Sequence, residues 1–174
     1  MSAAQIPPHV LGGLWLAGVS STPSTITDLW RHGQLAPVRL TCRFDAVRVH
    51  GEALAAALVA ELQSSEMPFG PVLYDHGTKQ SYWLVPVRPG TAWQMKDTCL
   101  LTAPEGGSEA PSVLMPAPGV GQVGSLQWLI TPDGSGTLTS YEALAVALRR
   151  ARAALARARR LQTRAQRRQS DAVP

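Results

Sequence analysis

Two short apolar runs joined by a turn place the strongest constraint on the fold of this chain. The runs are GPVLYDHG and KQSYWLVPV. The turn that joins them is Asp75-His76-Gly77-Thr78, which begins within the end of the first run. Turn-forming residues between strand-like runs predict a β-hairpin, and a hairpin requires an antiparallel sheet. Strands are also predicted in SLQWLITP and in the pair DTCLLTAP and APSVLMPAP, which the turn residues of PEGGSEAP connect. The segment PVRLTCRFDAVRV predicts a strand or a second hairpin.

Three helical patterns precede the C-terminal region. HVLGGLWLAG and TITDLWRHG predict two short helices near the N-terminus. EALAAALVAEL predicts a longer helix over 52–62, because Leu54, Leu58 and Leu62 fall on one stripe. Strands that outnumber helices, with helices at both ends and in the middle, predict an α+β fold in which a few helices pack on a mainly antiparallel sheet. The 174 residues suffice for one domain with its own core.

The sharpest local prediction is a long amphipathic helix near the C-terminus. Thr139 and Glu142 have the spacing of a capping box, with Thr139 as the N-cap. At about 100° per residue, Leu144, Leu148 and Leu155 share one arc with alanines. Past about Leu155 this stripe thins to alanine, so we expect the helix end to project into solvent or to meet a partner. The opposite half carries nine arginines: Arg149, Arg150, Arg152, Arg157, Arg159, Arg160, Arg164, Arg167 and Arg168.

Charge is distributed unevenly along the chain. Residues 1–148 hold seven basic and eleven acidic side chains, a charge of −4, whereas residues 149–174 hold nine arginines and one acid, a charge of +8. We therefore expect three parts: a flexible arm over 1–8, an α+β domain over 9–148 and a basic helical extension and tail over 149–174. Arginines three and four positions apart repel one another. A bound polyanion, an acidic protein partner or a solubilising role would each account for them.

Four segments carry a family resemblance through their order and spacing. They are LWLAGVSSTPSTITDLW leading into APVRLTCRFDAVRV, then GPVLYDHGTKQSYWLVPVRPGTA, PSVLMPAPGVG and SLQWLITPD. Together they cover about residues 9–150 and resemble the N-terminal domain of bifunctional DNA primase/polymerases, the prim-pol domain. The closer resemblance is to short, catalytically degenerate bacterial relatives of that domain. It implies a degenerate prim-pol-like α+β fold.

The resemblance also implies where a catalytic site would lie. In active members, an Asp-x-Asp pair and a third carboxylate hold two divalent ions, and a histidine contacts the nucleotide phosphates. Asp45 stands at the first acid and Glu105 near the third, whereas Val47 and Gln80 replace the second acid and the histidine. A lone carboxylate cannot hold two cations. Asp45 and Glu105 are therefore vestigial candidates, and we expect Asp45 to accept hydrogen bonds from a backbone turn or an arginine.

Other patterns add no cofactor or metal site. Cys42 and Cys99 lack paired ligand spacing and predict a reduced, cytoplasmic protein. His50 and His76 are expected to be exposed at a strand end and a turn rather than to join Asp45 at a metal. The Gly-rich stretches do not match a phosphate-binding loop. The apolar run LGGLWLAGV is far shorter than a membrane span requires, so no membrane association is predicted.

These observations predict a non-catalytic, prim-pol-like binding protein that associates with nucleic acid, or regulates, through its arginine-rich helix. The alternative is a protein-interaction module that assembles with itself or with an acidic protein partner. A residual metal-dependent nucleotidyltransferase is the third interpretation. It would require Glu105 and a histidine to converge on Asp45.

Overall fold

The computed structural model describes residues 6–40, 43–65, 67–87, 93–103 and 110–170, with the backbone alone at 168 and 170. The predicted α+β class is confirmed: these residues form two antiparallel sheets and four helices, the last of them long. In chain order the elements are α1 Pro8–Gly18, α2 Pro23–Arg31, β1 Ala36–Arg39, β2 Asp45–His50, α3 Glu52–Gln63, β3 Val72–Asp75, β4 Gln80–Val85, β5 Thr98–Leu101, β6 Ser112–Met115, β7 Leu126–Ile130 and α4 Tyr141–Ser170.

A five-stranded sheet with the order β5-β2-β4-β3-β7 forms the centre of the molecule. The predicted hairpin is confirmed, since β3 pairs with β4 in antiparallel register. Asp75 closes its turn by accepting hydrogen bonds from the Gly77 backbone N–H at 2.9 Å and from the Thr78 hydroxyl at 2.7 Å. Local chemistry of this kind explains why the hairpin is evident in the sequence.

The strand pairings elsewhere differ from those predicted. The predicted pairing between the runs that contain β5 and β6 is wrong. Strand β5 pairs with β2 in the central sheet, with Val47 opposite Leu100. Strand β6 pairs with β1 in a separate two-stranded sheet. Of the two alternatives for PVRLTCRFDAVRV, the hairpin is wrong: the segment contributes to two strands, β1 and β2, which lie in different sheets. Turn residues indicate where a chain reverses, but the choice of neighbouring strand depends on which faces are buried.

The central sheet is covered on both faces. Val47, Val49 and Trp83 lie on the face that packs against α3 and α4. Ala46 and Leu84 lie on the opposite face, in a cluster with buried residues of α1, α2 and the two-stranded sheet. Successive strand residues point to opposite faces, so the apolar residues of β2 alternate between the two cores.

The start of α4 differs by one residue from the capping-box prediction. Ser140, not Thr139, is the N-cap: its hydroxyl accepts a hydrogen bond from the Ala143 N–H at 3.1 Å and its carbonyl accepts one from the Leu144 N–H at 2.9 Å. Thr139 is fully buried, and its hydroxyl accepts a hydrogen bond from the Gly70 N–H at 2.9 Å. A tertiary contact therefore takes the hydroxyl that the local motif would have used for capping.

Candidate functional site

The two ends of α4 have different environments. Tyr141, Leu144, Leu148 and Ala151 are buried in the cluster formed with α3 and the sheet. Leu155 is half-buried, and every described side chain from 156 onwards is exposed. We call residues 156–170 the distal half of α4; at about 1.5 Å per residue it extends about 22 Å. This exposure is what we expect of a helix end that projects into solvent or meets a partner.

The arginines of α4 lie on the half of the helix opposite the leucine stripe, as predicted, and most are exposed. We call this half of the helix the arginine arc. Arg152 alone among those with a described side chain is half-buried, and its Nη2 donates a hydrogen bond to the Lys96 carbonyl. Within the described residues, no arginine of α4 forms an ion pair. The side chain of Arg168 lies outside the described set. The exposed members are Arg149, Arg150, Arg157, Arg159, Arg160, Arg164 and Arg167.

A groove of about 450 Å³ lies where the distal half of α4 leaves the body. Arg152, Arg159 and Lys96 line it, together with the acidic residues Glu52 and Asp97. Nε of Arg152 is buried without a described hydrogen-bond partner. The groove therefore contains both positive and negative side chains. The exposed face of α4 that carries Arg157, Arg160, Arg164 and Arg167 has only positive ones.

Asp45 lies in the core rather than in a cleft. Its side chain is 1% exposed, and the hydroxyl of Tyr141 donates a hydrogen bond to Oδ2 at 3.3 Å. Val47, which the resemblance to the prim-pol domain predicts to replace a second acid, is fully buried on the same face of β2. A tyrosine of α4 thus takes the role that we expected a backbone turn or an arginine to fill. Oδ1 has no hydrogen-bond partner in the part of the chain that the structure describes.

The other vestigial candidate, Glu105, lies outside the described residues. Among the residues that are described, no three His, Cys, Asp or Glu side chains are grouped so that they could hold a metal ion. His50 is exposed at the end of β2. His76 is half-buried, and its Nε2 lies 2.9 Å from Oε1 of Gln127.

The opposite face of the sheet opens into a cleft of about 340 Å³ that sequence analysis did not identify. Arg48, Tyr82 and Asp75 line it, and Arg48 lies directly across from Tyr82 in the β2–β4 pairing. The Tyr82 hydroxyl donates a long hydrogen bond of 3.4 Å to Oε1 of Gln80, the residue at the predicted histidine position. Burial raises the pKa of Tyr82, although Arg48 opposes this shift. Only the register of β2 against β4 could have revealed this cluster.

The carboxylate of Asp75 accepts hydrogen bonds within the β3–β4 turn, so these bonds compete with any ligand in this cleft. Burial disfavours its ionised form, but hydrogen bonds from Ser125, Thr78 and the Gly77 backbone outweigh this effect and lower the pKa of Asp75. The cleft therefore presents a guanidinium and a phenol beside an acid that is already hydrogen-bonded. This set of groups is unlike the converging oxygen ligands that divalent cations require.

Comparisons with protein-family models, with curated proteins and with solved structures give no match to this chain. The resemblance to the prim-pol domain stays a prediction. Within the described residues, no helix combines the length and the apolar character needed to cross a bilayer.

Proposed function

We propose that the protein binds nucleic acid without catalysis, through the arginine arc on the distal half of α4. The observation that carries this proposal is the ladder Arg157, Arg160, Arg164 and Arg167, which is exposed and forms no ion pair within the described residues. Neighbouring members are three or four positions apart and lie on one helix face. Each like-charge pair destabilises the helix by about 0.2–0.5 kcal/mol. Phosphates placed along the ladder would reverse that cost.

The mode of binding follows from the residue type. Guanidinium groups bind phosphate oxygens in bidentate geometry, and phosphate contacts position a protein on nucleic acid without reading its sequence. Release of condensed counterions supplies most of the affinity in such contacts. We therefore expect sequence-independent binding whose affinity falls steeply as the salt concentration rises.

The environment of Asp45 supports a binding role rather than a catalytic one. Its carboxyl points into the core beside Tyr141. Val47 and Gln80 stand where the resemblance to the prim-pol domain expects a second acid and a histidine. A two-metal reaction needs several oxygen ligands that face one cleft.

The test compares the wild type with a variant in which Arg157, Arg160, Arg164 and Arg167 are changed to Gln. Fluorescence anisotropy with a labelled DNA or RNA duplex is recorded over a series of salt concentrations. On DNA, each lost phosphate contact reduces the slope of log K against log salt by about 0.9, so the slope should fall by about 3 to 4.

The matched control changes the same four residues to Lys, which keeps the charge. We expect this variant to retain most of the affinity and the salt slope. Equal affinity in the wild type and the Gln variant would contradict the proposal, as would binding that is indifferent to salt.

A second candidate function is self-association through the distal half of α4. Leu161 is 65% exposed there, and Ala154, Ala158 and Ala165 share its side of the helix. A narrow apolar stripe flanked by charges is typical of a helix that pairs with another helix. Light scattering after size exclusion tests this candidate. A dimer that dissociates in Leu161→Gln would support it, and a monomeric wild type would reject it.

A further inference from the structure

A third groove, of about 370 Å³, lies between α3 and the strands β3 and β7. Its volume falls in the range of small-molecule sites. Ala55, Ala56, Val59 and Leu129 form its apolar walls. Tyr74, His76 and Glu52 also line it, and they supply its polar groups. We call it the α3 groove.

The hydroxyl of Tyr74 is the feature of this groove that folding does not explain. Tyr74 is only 4% exposed, and its Oη is buried without a hydrogen-bond partner among the described residues. Phenylalanine would fill the same space without burying an unpaired hydroxyl, and buried polar groups are normally paired. Burial raises the pKa of Tyr74, and the charge of Glu52 adds to this effect. At neutral pH the hydroxyl is therefore a protonated donor that has no acceptor in the described part of the chain.

The other two polar residues constrain what that acceptor can be. The ring of His76 stands edge-on to Tyr74, with centroids 4.8 Å apart, and its hydrogen bond to Gln127 fixes its orientation. Glu52 pairs with Lys79 at 3.1 Å, but Glu52 lines the groove and Lys79 does not. A carboxylate at the wall disfavours an anionic ligand and favours one that carries an N–H donor.

We propose that the α3 groove binds a small amphipathic molecule whose apolar body ends in an uncharged, carboxamide-like group. The hydroxyl oxygen of Tyr74 has almost no surface open to the groove in the unliganded protein, so the side chains over it would move to let the ligand carbonyl accept its hydrogen bond. The ligand N–H would donate to Glu52, which is exposed at the wall. The apolar body would pack on Ala55, Ala56 and Val59. This arrangement satisfies the hydroxyl that the fold leaves unpaired.

The test uses benzamide as the probe and the full-length protein, observed by NMR. Benzamide is expected to shift the resonances of Ala55, Ala56 and His76, with millimolar affinity. Benzoate has the same ring but an anionic end, so it should bind about tenfold more weakly or not at all. Toluene has no polar end and reports on the apolar walls alone.

Tyr74→Phe removes the proposed donor and keeps the ring. We expect benzamide to bind this variant about tenfold more weakly, while toluene binding is unchanged and resistance to urea is equal to that of the wild type or higher. Ala56→Leu extends a larger side chain from the exposed wall of α3 and should weaken the binding of both probes.

Three results would overturn the proposal. They are the absence of shifts in the α3 groove, equal benzamide affinity in the wild type and Tyr74→Phe, and benzamide affinity that Ala56→Leu leaves unchanged. Binding of benzoate as tight as that of benzamide would remove the role assigned to Glu52 and overturn the proposed ligand class. Duplex binding by α4 is independent of this outcome, because neither variant alters an arginine of that helix.

Discussion

The hydroxyl of Tyr141, the first residue of α4, donates a hydrogen bond to Oδ2 of Asp45, the first residue of β2, at 3.3 Å. Both residues are buried, and 96 positions separate them in the sequence. The contact joins the last helix to the second strand of the central sheet. Asp45 thus joins two elements of the core, which is a structural role for an acid that was predicted, from the resemblance to the prim-pol domain alone, to be a vestige of catalysis.

We predict that Tyr141→Phe lowers the free energy of unfolding by about 1–3 kcal/mol, because it leaves the buried carboxyl of Asp45 without its described partner. Urea unfolding measures the change. A double-mutant cycle with Asp45→Ala isolates the contact, and we expect a coupling energy of about 0.5–1.5 kcal/mol. Additive effects of the two substitutions would show that the hydrogen bond does not stabilise the fold.

We predict that Gly70→Ala destabilises the protein by about 1–3 kcal/mol, because the added methyl group overpacks a tight contact. A Cβ at Gly70 would lie 2.6 Å from the carbonyl oxygen of Thr137 and 2.7 Å from Cα of Leu138. Backbone atoms there cannot move without disturbing the hydrogen bond from Gly70 to Thr139.

Gly18→Ala is the matched control for Gly70→Ala. Nothing lies within 4 Å of a Cβ at Gly18, which is the last residue of α1. Alanine favours the helix over glycine, so we expect a neutral or slightly stabilising effect. Thermal unfolding of both variants distinguishes a specific close contact from a general sensitivity of glycines. Equal losses in the two variants would contradict the packing argument.

We predict that Asp75→Ala lowers stability at neutral pH by about 1 kcal/mol, since it removes the hydrogen bonds that close the β3–β4 turn. Hydrogen bonds to the ionised form lower the pKa of Asp75 from its ordinary value of 3.8 in spite of burial. Because the pKa is lower in the folded state than in the unfolded state, the ionised carboxylate stabilises the fold fully at pH values above 3.8, the ordinary pKa. This contribution is lost as the pH falls through the folded-state pKa.

Urea unfolding of the wild type and Asp75→Ala at a series of pH values measures this effect. The difference in stability should be constant near neutral pH and should shrink once the pH falls below 3.8, the ordinary value for this carboxyl. A difference that stays constant through this acidic range would show that the ionised carboxylate is not what stabilises the turn.

Local sequence signals predicted the elements of this fold better than their pairing. The helix over 52–62 and the β3–β4 hairpin follow from a stripe of leucines and from an aspartate at a turn. The neighbours of β5 and β6 do not follow, because each of these strands pairs with a strand from an earlier part of the chain. The capping prediction at Thr139 was wrong for the same reason: Gly70, far away in sequence, uses the hydroxyl.

The same contrast between local signals and long-range contacts applies to the candidate sites. The arginine arc of α4 depends only on helical periodicity, so its composition and its exposed face could be predicted from the sequence. The cross-strand neighbours Arg48 and Tyr82, and the unpaired hydroxyl of Tyr74, depend on sheet register and on burial. No pattern within a single segment shows which tyrosine will lack a partner.

We predict that Arg160→Glu strengthens the helix and weakens nucleic-acid binding at the same time. An acid at 160 would lie three positions after Arg157 and four before Arg164, so two repulsive pairs would become attractive ones. Helix content by circular dichroism should rise, with a gain of about 0.8–2 kcal/mol at low salt, because each pair changes from repulsive to attractive. Duplex affinity should fall at least tenfold, because a phosphate contact is lost and a repulsive charge is added.

The double variant Gln162→Glu/Gln169→Glu is the matched control for this prediction. It lowers the net charge by two, as Arg160→Glu does, but places both acids on the side of the distal half of α4 opposite Arg157, Arg160, Arg164 and Arg167. We expect it to change duplex affinity much less than Arg160→Glu does. If the double variant and Arg160→Glu weaken binding equally, net charge alone determines the affinity. If Arg160→Glu leaves binding intact, the arginine arc is not the nucleic-acid interface.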